Sequence, residues 1–512
     1  MAQHNPNPWS NPMPLLEAGA AMMKSALRHV AAGCTAALLA TSALVPAHAA
    51  GDPLRAGVEL NQTSVLAGQS RVIYVRLSLE GLDITPDENR KRAALNVSLV
   101  LDRSGSMADE GKMDYLRKAA SLAVDRLTPD DTLSVIEYDD QISVMWPARR
   151  VRNVAELKSL IEGLEPRGST NLAGGMIRGV EEAAGALNGP ASANGTITRV
   201  MLMSDGLANT GITEPREIAR LVRDARSKGV RVSAMGLGRD YDEDLMQAIA
   251  ENGGGRYYYI EHPSQMARIF KDELGTMFET CAQDLDIEFT GSARIRKAEM
   301  IGFEDVKPGR ALTRDLEDMF EGEKRSILLR LEVDVPPSGT LDLGKLSLRY
   351  RTAGTGKAHA VTQDLQVTAS TDAGAVGKTL NKSVAADAAL AESDRVQKEQ
   401  VLLYQQGRGD EARRNLSALA KDLEASNRDL DDKRLTQKIE ALNVESRQMS
   451  EAAASPAAQK DYLKASKQRL YQAKSGKRTG FALQPGDKGR EVELLQEALA
   501  RAGNYKGPID GI

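Results

Sequence analysis

Three short segments of this chain concentrate side-chain oxygen: Asp102-Arg103-Ser104-Gly105-Ser106-Met107, Gly168-Ser169-Thr170-Asn171 and Ser204-Asp205-Gly206. Such oxygens suit a small hard dication. Mg2+ takes near-octahedral oxygen coordination at about 2.0 to 2.1 Å and gives up its waters reluctantly, so it favours a site with few direct protein ligands. Ser104, Ser106 and Thr170 can bind it directly through neutral hydroxyls, while Asp102 and Asp205 hold bound waters and orient the serines from behind. An ion touched only by neutral protein oxygens keeps much of its positive charge. It then draws a carboxylate from another molecule into the last position. The plainer reading of the same residues is that short polar loops cap buried helices, and the two readings are compatible.

The elements around these segments must bring them together. Leu95 to Leu101 is an apolar, partly β-branched run that suits a buried strand, and it leads straight into Asp102. Polar groups at the end of such a strand, just before a helix, sit where open α/β sheets place their ligand sites. Leu116, Ala119, Ala120, Ala123, Val124 and Leu127 then recur at helical spacing, and Pro129 helps to end that helix. A strand at 132–138 has an antiparallel neighbour at 141–146. Leu157, Leu160, Ile161 and Leu164 mark the helix that delivers Thr170, and Met176, Val180, Ala184 and Leu187 mark another. Strand 198–204 runs into Asp205, Pro215 opens a helix, and 230–237 is a further strand. Asp242 caps a short helix, 256–260 is the last strand, and Ser264 starts the last helix. The alternation predicts a doubly wound, mostly parallel sheet covered by helices on both faces over residues 94–281. Gly253-Gly254-Gly255 lies between a helix and a strand, the wrong order for a phosphate cradle, and reads as a helix stop.

With these elements in place the motif is specific. Asp102-x-Ser104-x-Ser106, the later Thr170 and the still later Asp205-Gly206 resemble the metal-ion-dependent adhesion site of von Willebrand factor A (VWA) domains. Arg167 to Gly175 and Asp205 to Gly211 resemble the bacterial branch of that family. The resemblance implies a Rossmann-like α/β fold and an Mg2+ held at Asp102, Ser104, Ser106, Thr170 and Asp205, with Mn2+ or Ca2+ as alternatives. It also implies a protein partner that offers Asp or Glu.

The rest of the chain is long enough for further units. At 512 residues, 41% hydrophobic and 4% aromatic, it exceeds one ordinary domain. A net charge of -4 gives no sign of a nucleic-acid partner. Lys24 and Arg28 precede an Ala/Leu-rich stretch from Val30 to Val45, and Ala47-His48-Ala49 supplies a small-x-small cleavage pattern. Residues 1–49 therefore read as a secretory signal peptide, with translation expected to start at Met22 or Met23, and the mature chain as periplasmic or extracellular. The apolar core is too short for a membrane span. Most of the apolar stretch lies after Cys34 rather than before it, so a lipid anchor is not expected. Beyond the leader only Cys281 remains, which excludes an internal disulfide and predicts a small buried residue near a helix end. Strand patterns at 58–65 and 71–79, flanking the turn Ala67-Gly68-Gln69, lack partners nearby. The comparable patterns lie after residue 284, at 285–289, 326–335, 345–351 and 360–368. Segments 50–93 and 282–370 are thus expected to form one antiparallel sandwich into which the α/β unit is inserted.

Residues 371–379 read as a small polar linker. From 380 to 478, Leu416, Leu419, Leu423, Leu435, Ile439 and Leu442 follow four-three spacings, predicting a helical hairpin or spacer broken at Gly407-Arg408-Gly409, with Asp410 as the next cap. Leu483 to Gly489, with Leu495, Gln496, Gly507, Asp510 and Gly511, resembles the first half of a peptidoglycan-binding repeat over 480–512, which implies contact with cell wall. His262 and His359 are the only histidines after the leader, and no GxSxG, Walker loop or CxxC is present, so catalysis is not expected. Asp102 as a phosphoryl acceptor fits the paired serines less well than metal ligation does. The leading expectation is an exported, metal-dependent protein-binding module. The alternative is a structural envelope or peptidoglycan-associated protein in which the metal only stabilises.

Overall fold

The computed structural model describes residues 52–82, 92–187, 195–238, 240–303 and 306–474. The leader expected at 1–49 and the repeat expected at 480–512 lie outside these described residues. In chain order, β1 (Leu54–Leu60), β2 (Ser64–Leu66) and β3 (Ser70–Gly81) come first. The α/β unit follows as β4 (Leu95–Asp102), α1 (Lys112–Arg126), β5 (Thr132–Tyr138), β6 (Ile142–Arg150), α2 (Val154–Glu162) and α3 (Leu172–Leu187). It continues with β7 (Ile197–Ser204), α4 (Pro215–Ser227), β8 (Arg231–Leu237), α5 (Glu243–Gly253), β9 (Gly254–Ile260) and α6 (Met266–Phe278).

The central sheet has the order β6-β5-β4-β7-β8-β9 and is parallel except for β6. Strands β4, β7, β8 and β9 are buried at every position, so their apolar residues serve both faces instead of alternating with exposed polar ones. Leu99 and Leu101 point to one face, where Leu116 of α1, Leu157 of α2 and Phe270 of α6 complete a core. Val100 points to the other, among Met176, Val222 and Ile249 from α3, α4 and α5. The doubly wound expectation is met. Gly254, with φ +66, ends α5 as the sequence predicted. Ser264 does not start α6: a 3-10 turn from Pro263 to Gln265, capped by His262, precedes it.

The sandwich uses both flanks. β10 (Thr280–Gly291), β11 (Ile295–Met300), β12 (Ala311–Asp315), β13 (Met319–Phe320), β14 (Lys324–Asp334), β15 (Gly339–Thr352) and β16 (Ala358–Ser370) join the first three strands. One sheet runs β1-β3-β14-β11 and the other β12-β10-β15-β16-β2, with β13 beside β10. The stretch 58–65 is not one strand. The Asn61 side chain accepts the Tyr74 N–H at 2.9 Å and closes β1, and the chain then crosses to the second sheet, where β2 pairs parallel with β16. Short β11, β12 and β13 carry too few alternating residues to be read locally.

Cys281, in β10, is fully buried and its thiol donates to the Met319 carbonyl at 3.3 Å. Burial, with Glu321 and Glu323 adding to it, pushes this thiol up to about 12. The thiolate is the reactive form. Native protein at pH 8 is therefore expected to resist iodoacetamide and to label at Cys281 only on unfolding in urea. Rapid native labelling, read by intact mass, would contradict the packing of β10 against β13.

The C-terminal part holds α7 (Ala373–Gly377), α8 (Lys382–Gln405), α9 (Gly409–Leu430), α10 (Lys433–Ala452) and α11 (Pro456–Lys474). The segment expected as a linker contains α7, which Asp372 caps through the N–H groups of Gly374 and Ala375, and Val376 is buried. Arg408, not Asp410, occupies the cap of α9, and Asp410 lies in its first turn, where a negative charge suits the helix dipole. Leu416, Leu423, Leu435 and Leu442 are buried together as their spacing predicted. These helices brace rather than space: Arg76 of β3 pairs with Asp387 of α8. Lys464 of α11, only 2% exposed, donates to the Tyr241 carbonyl at 2.9 Å and to Glu243 at 3.1 Å in the α/β unit. Among the described residues no helix is long and apolar enough to cross a membrane.

Candidate metal centre

Strand β4 lies between β5 and β7, so the connections leave it in opposite directions and its C-terminal end is a topological switch point. The loop after β4 carries Ser104 and Ser106, the loop before α3 carries Thr170, and β7 runs into Asp205. All five residues singled out in the sequence stand at this end of the sheet.

Asp102 is fully buried. One of its oxygens accepts the Ser104 N–H at 2.8 Å, and the other accepts the hydroxyls of Ser204 at 2.7 Å and Tyr138 at 3.3 Å. Burial, and then the Asp205 carboxylate, push Asp102 from 3.8 up to about 6. The Ser104 and Ser106 hydroxyl oxygens are 3.2 Å apart, and Ser106 donates to Asp205 Oδ1 at 2.7 Å. A Cβ built on Gly206 would stand 3.3 Å from Thr170 Oγ1 and 3.7 Å from Ser106 Oγ. Both hydroxyls therefore line the bare face of Gly206, and a larger residue there would crowd the space between them.

Main-chain bonds fasten the loops to one another. Gly105 N–H donates to the Gly168 carbonyl at 3.1 Å and Arg167 N–H to the Arg103 carbonyl at 2.7 Å. The Thr170 carbonyl accepts from the N–H groups of Asn209 and Thr210 at 3.2 and 3.3 Å, while Thr170 N–H donates to the Asn209 side chain at 2.9 Å. Gly168 sits at φ +69, and a Cβ there would lie 2.1 Å from Asp140 Oδ1, so the bend that delivers Thr170 requires glycine. Buried Asp139 ties the first two loops, pairing with Arg103 at 2.9 Å and Arg167 at 2.8 Å.

Lys112 escaped the sequence reading. It is the first residue of α1, 7% exposed, and its ammonium donates to Asp205 Oδ2 at 2.8 Å and to the Ser106 carbonyl at 3.4 Å. A signal existed: a lysine at the positive end of a helix is unfavourable unless an anion lies close. Ser204 and Tyr138, which hold Asp102 from behind, carry no such signal in the sequence.

Among the described residues no three His, Cys, Asp or Glu side chains gather into a metal cage. The donors here are hydroxyls in front of two carboxylates, hard oxygens that match Mg2+ chemistry. Asp102 and Asp205, at most 1% exposed, face a single ammonium. That imbalance of buried negative charge is one a cation would offset, so the residues fit a hard dication.

An open doubly wound sheet with a polar cluster at its switch point defines an α/β domain of Rossmann-like class. Residues 96–272 match the model of the von Willebrand factor type A domain, and this unit is a VWA domain. The chain is 28% identical over 282 residues to the uncharacterized protein YfbK of Escherichia coli K12, covering 50% of this chain and 48% of that protein. It is 27% identical over 292 residues to an uncharacterized Synechocystis protein, sll0103, covering 55% and 67%. Over 180 residues it is 27% identical to human inter-alpha-trypsin inhibitor heavy chain H4, covering 35% and 19%. The chain thus spans about half the length of the E. coli relative and about a fifth of the human one. In fold it is similar to a von Willebrand factor type A protein from Catenulispora acidiphila, with TM-score 0.58, 18% identity and coverage of 76% and 90%. It is also similar to the ArnB paralog VWA2 from Sulfolobus acidocaldarius, with TM-score 0.54, 16% identity and coverage of 82% and 98%.

Proposed function

We propose that this protein is an exported, metal-dependent protein-binding module, in which a divalent ion, Mg2+ in the first instance, captures an acidic side chain of a partner. The observation that carries it is the convergence of the Ser106 and Thr170 hydroxyls at Gly206, with the Ser104 hydroxyl 3.2 Å from that of Ser106 and with Asp102 and Asp205 at the same loops. These five residues would hold the ion, and its chemistry would be Lewis-acid attraction for a carboxylate. Leu207, 56% exposed and next to Gly206, offers apolar surface to the same partner. The module is read as non-catalytic: His262 caps a turn, and His359 is engaged by Asp52 and Thr352 in the sandwich. Export rests on the leader read at 1–49, and peptidoglycan contact on the repeat read at 480–512.

Metal-stripped protein should gain several degrees of Tm with Mg2+, and a crosslinking pull-down from envelope extract should recover a partner with Mg2+ but not with chelator. Recovery that ignores chelator, and is lost when 480–512 is deleted, would favour the structural cell-wall reading instead.

A further inference from the structure

We infer that Lys112 sets the charge of the metal centre, weakening its hold on the dication and strengthening its attraction for an anionic ligand. This rests on the metal-binding reading above. Both oxygens of Asp205 are engaged, Oδ1 by the Ser106 hydroxyl and Oδ2 by the Lys112 ammonium. Asp205 therefore faces the centre already half-neutralised. The Lys112 side chain is 9% exposed, so water screens it poorly and its field reaches the neighbouring hydroxyls. Two carboxylates and one ammonium leave the centre with a single net negative charge, which a dication converts to a net positive one. Without Lys112 the loaded centre would be formally neutral, and it would lose most of its pull on a carboxylate. The placement at the first residue of α1 supports a role at the centre, because a cation there works against the helix dipole and gains nothing from the helix itself.

A lysine that only props the loop, through its bond to the Ser106 carbonyl, would have the opposite signature, since removing it would loosen the donors and weaken metal binding. Mg2+ titration calorimetry on metal-stripped full-length protein separates the two. Lys112→Met should bind Mg2+ roughly tenfold tighter than the native chain, because one nearby positive charge is gone. Lys112→Arg, which keeps the charge, should stay near the native affinity. Acetate, compared with chloride at equal ionic strength, should add to the Mg2+-dependent Tm gain of the native chain and add less in Lys112→Met. Equal or weaker Mg2+ binding by Lys112→Met, with a native circular dichroism spectrum, would overturn the inference. If that variant does not fold, Lys112→Gln is judged by the same criterion. A native chain that takes up no Mg2+ would remove the metal-centre reading itself, whereas a binding native chain with no tightening in the neutral variants removes only the role given to Lys112.

Discussion

Metal-free Asp102→Asn protein is expected to melt higher than the metal-free native chain and to lose its response to Mg2+. The two halves share one cause. In the native fold the Asp102 carboxyl sits at about 6, raised from 3.8 by burial and by Asp205. Between these values the unfolded chain has released the proton while the folded chain still holds it, so stability falls as pH rises through this window. Above pH 6 the deficit is complete, at about 3 kcal/mol by order of magnitude. Asparagine keeps the acceptor for Ser104 N–H and turns an amide toward the Ser204 and Tyr138 hydroxyls, which can accept. A gain of about 1 to 2 kcal/mol at pH 7 should follow, read by urea titration in chelator. With Mg2+ present the order should reverse, because a neutral amide cannot offset the ion or orient its waters as a carboxylate does. Loss of such a supporting carboxylate should lower Mg2+ affinity by about 10- to 100-fold. A variant that melts lower in chelator, or that still gains stability with Mg2+, would show that Asp102 does not face the ion.

The second large effect is expected far from the metal centre. Asp318, in the turn between β12 and β13, is buried and pairs with Arg199 of β7 at 3.0 Å and Arg231 of β8 at 2.9 Å. Arg199 also faces Glu273 of α6 at 3.3 Å, and Tyr258 donates to the same glutamate. This cluster lies at the N-terminal ends of β7 and β8 and joins the α/β unit to the sandwich. Asp318→Ala would leave Arg231 with the carbonyls of Gly254 and Leu316 and, among the described carboxylates, the solvent-facing Asp284 at 3.8 Å, and would remove one of the two carboxylates that Arg199 pairs with. Breaking a buried pair on one side costs about 3 to 5 kcal/mol, because the remaining charge stays desolvated. Denaturant melts should show that loss together with a lower m-value, as the two units cease to unfold as one. Near-native stability would mean that solvent reaches Arg199 and Arg231 from the inter-unit side.

Much of the architecture was legible locally. β4, β7 and β8 announce themselves by apolar residues at both odd and even positions because both faces of the sheet are covered, and α1 and α9 by the spacing of their buried leucines and alanines. The three oxygen-bearing loops were legible because their residue types and order are unusual in combination. The crossing of the chain between sheets at Asn61 was not, since alternation continues on either side of it and only the position of Tyr74 reveals the stop. Nor was α7, five residues of small side chains that Asp372 alone organises.

By itself, then, the order of residues determined which loops carry oxygen donors, which strands are covered on both faces, and that the flanks of the α/β unit must find each other. Tertiary structure decided what charge those donors see. Lys112 and Asp205 stand 93 residues apart and meet only because β4 and β7 are neighbours, so their bond has no local trace. The same holds for Arg199 and Asp318, 119 residues apart. Periodicity records which side of an element faces apolar surroundings, because that depends on its own spacing. Pairing of buried charges depends on which elements become neighbours, and folding alone settles that.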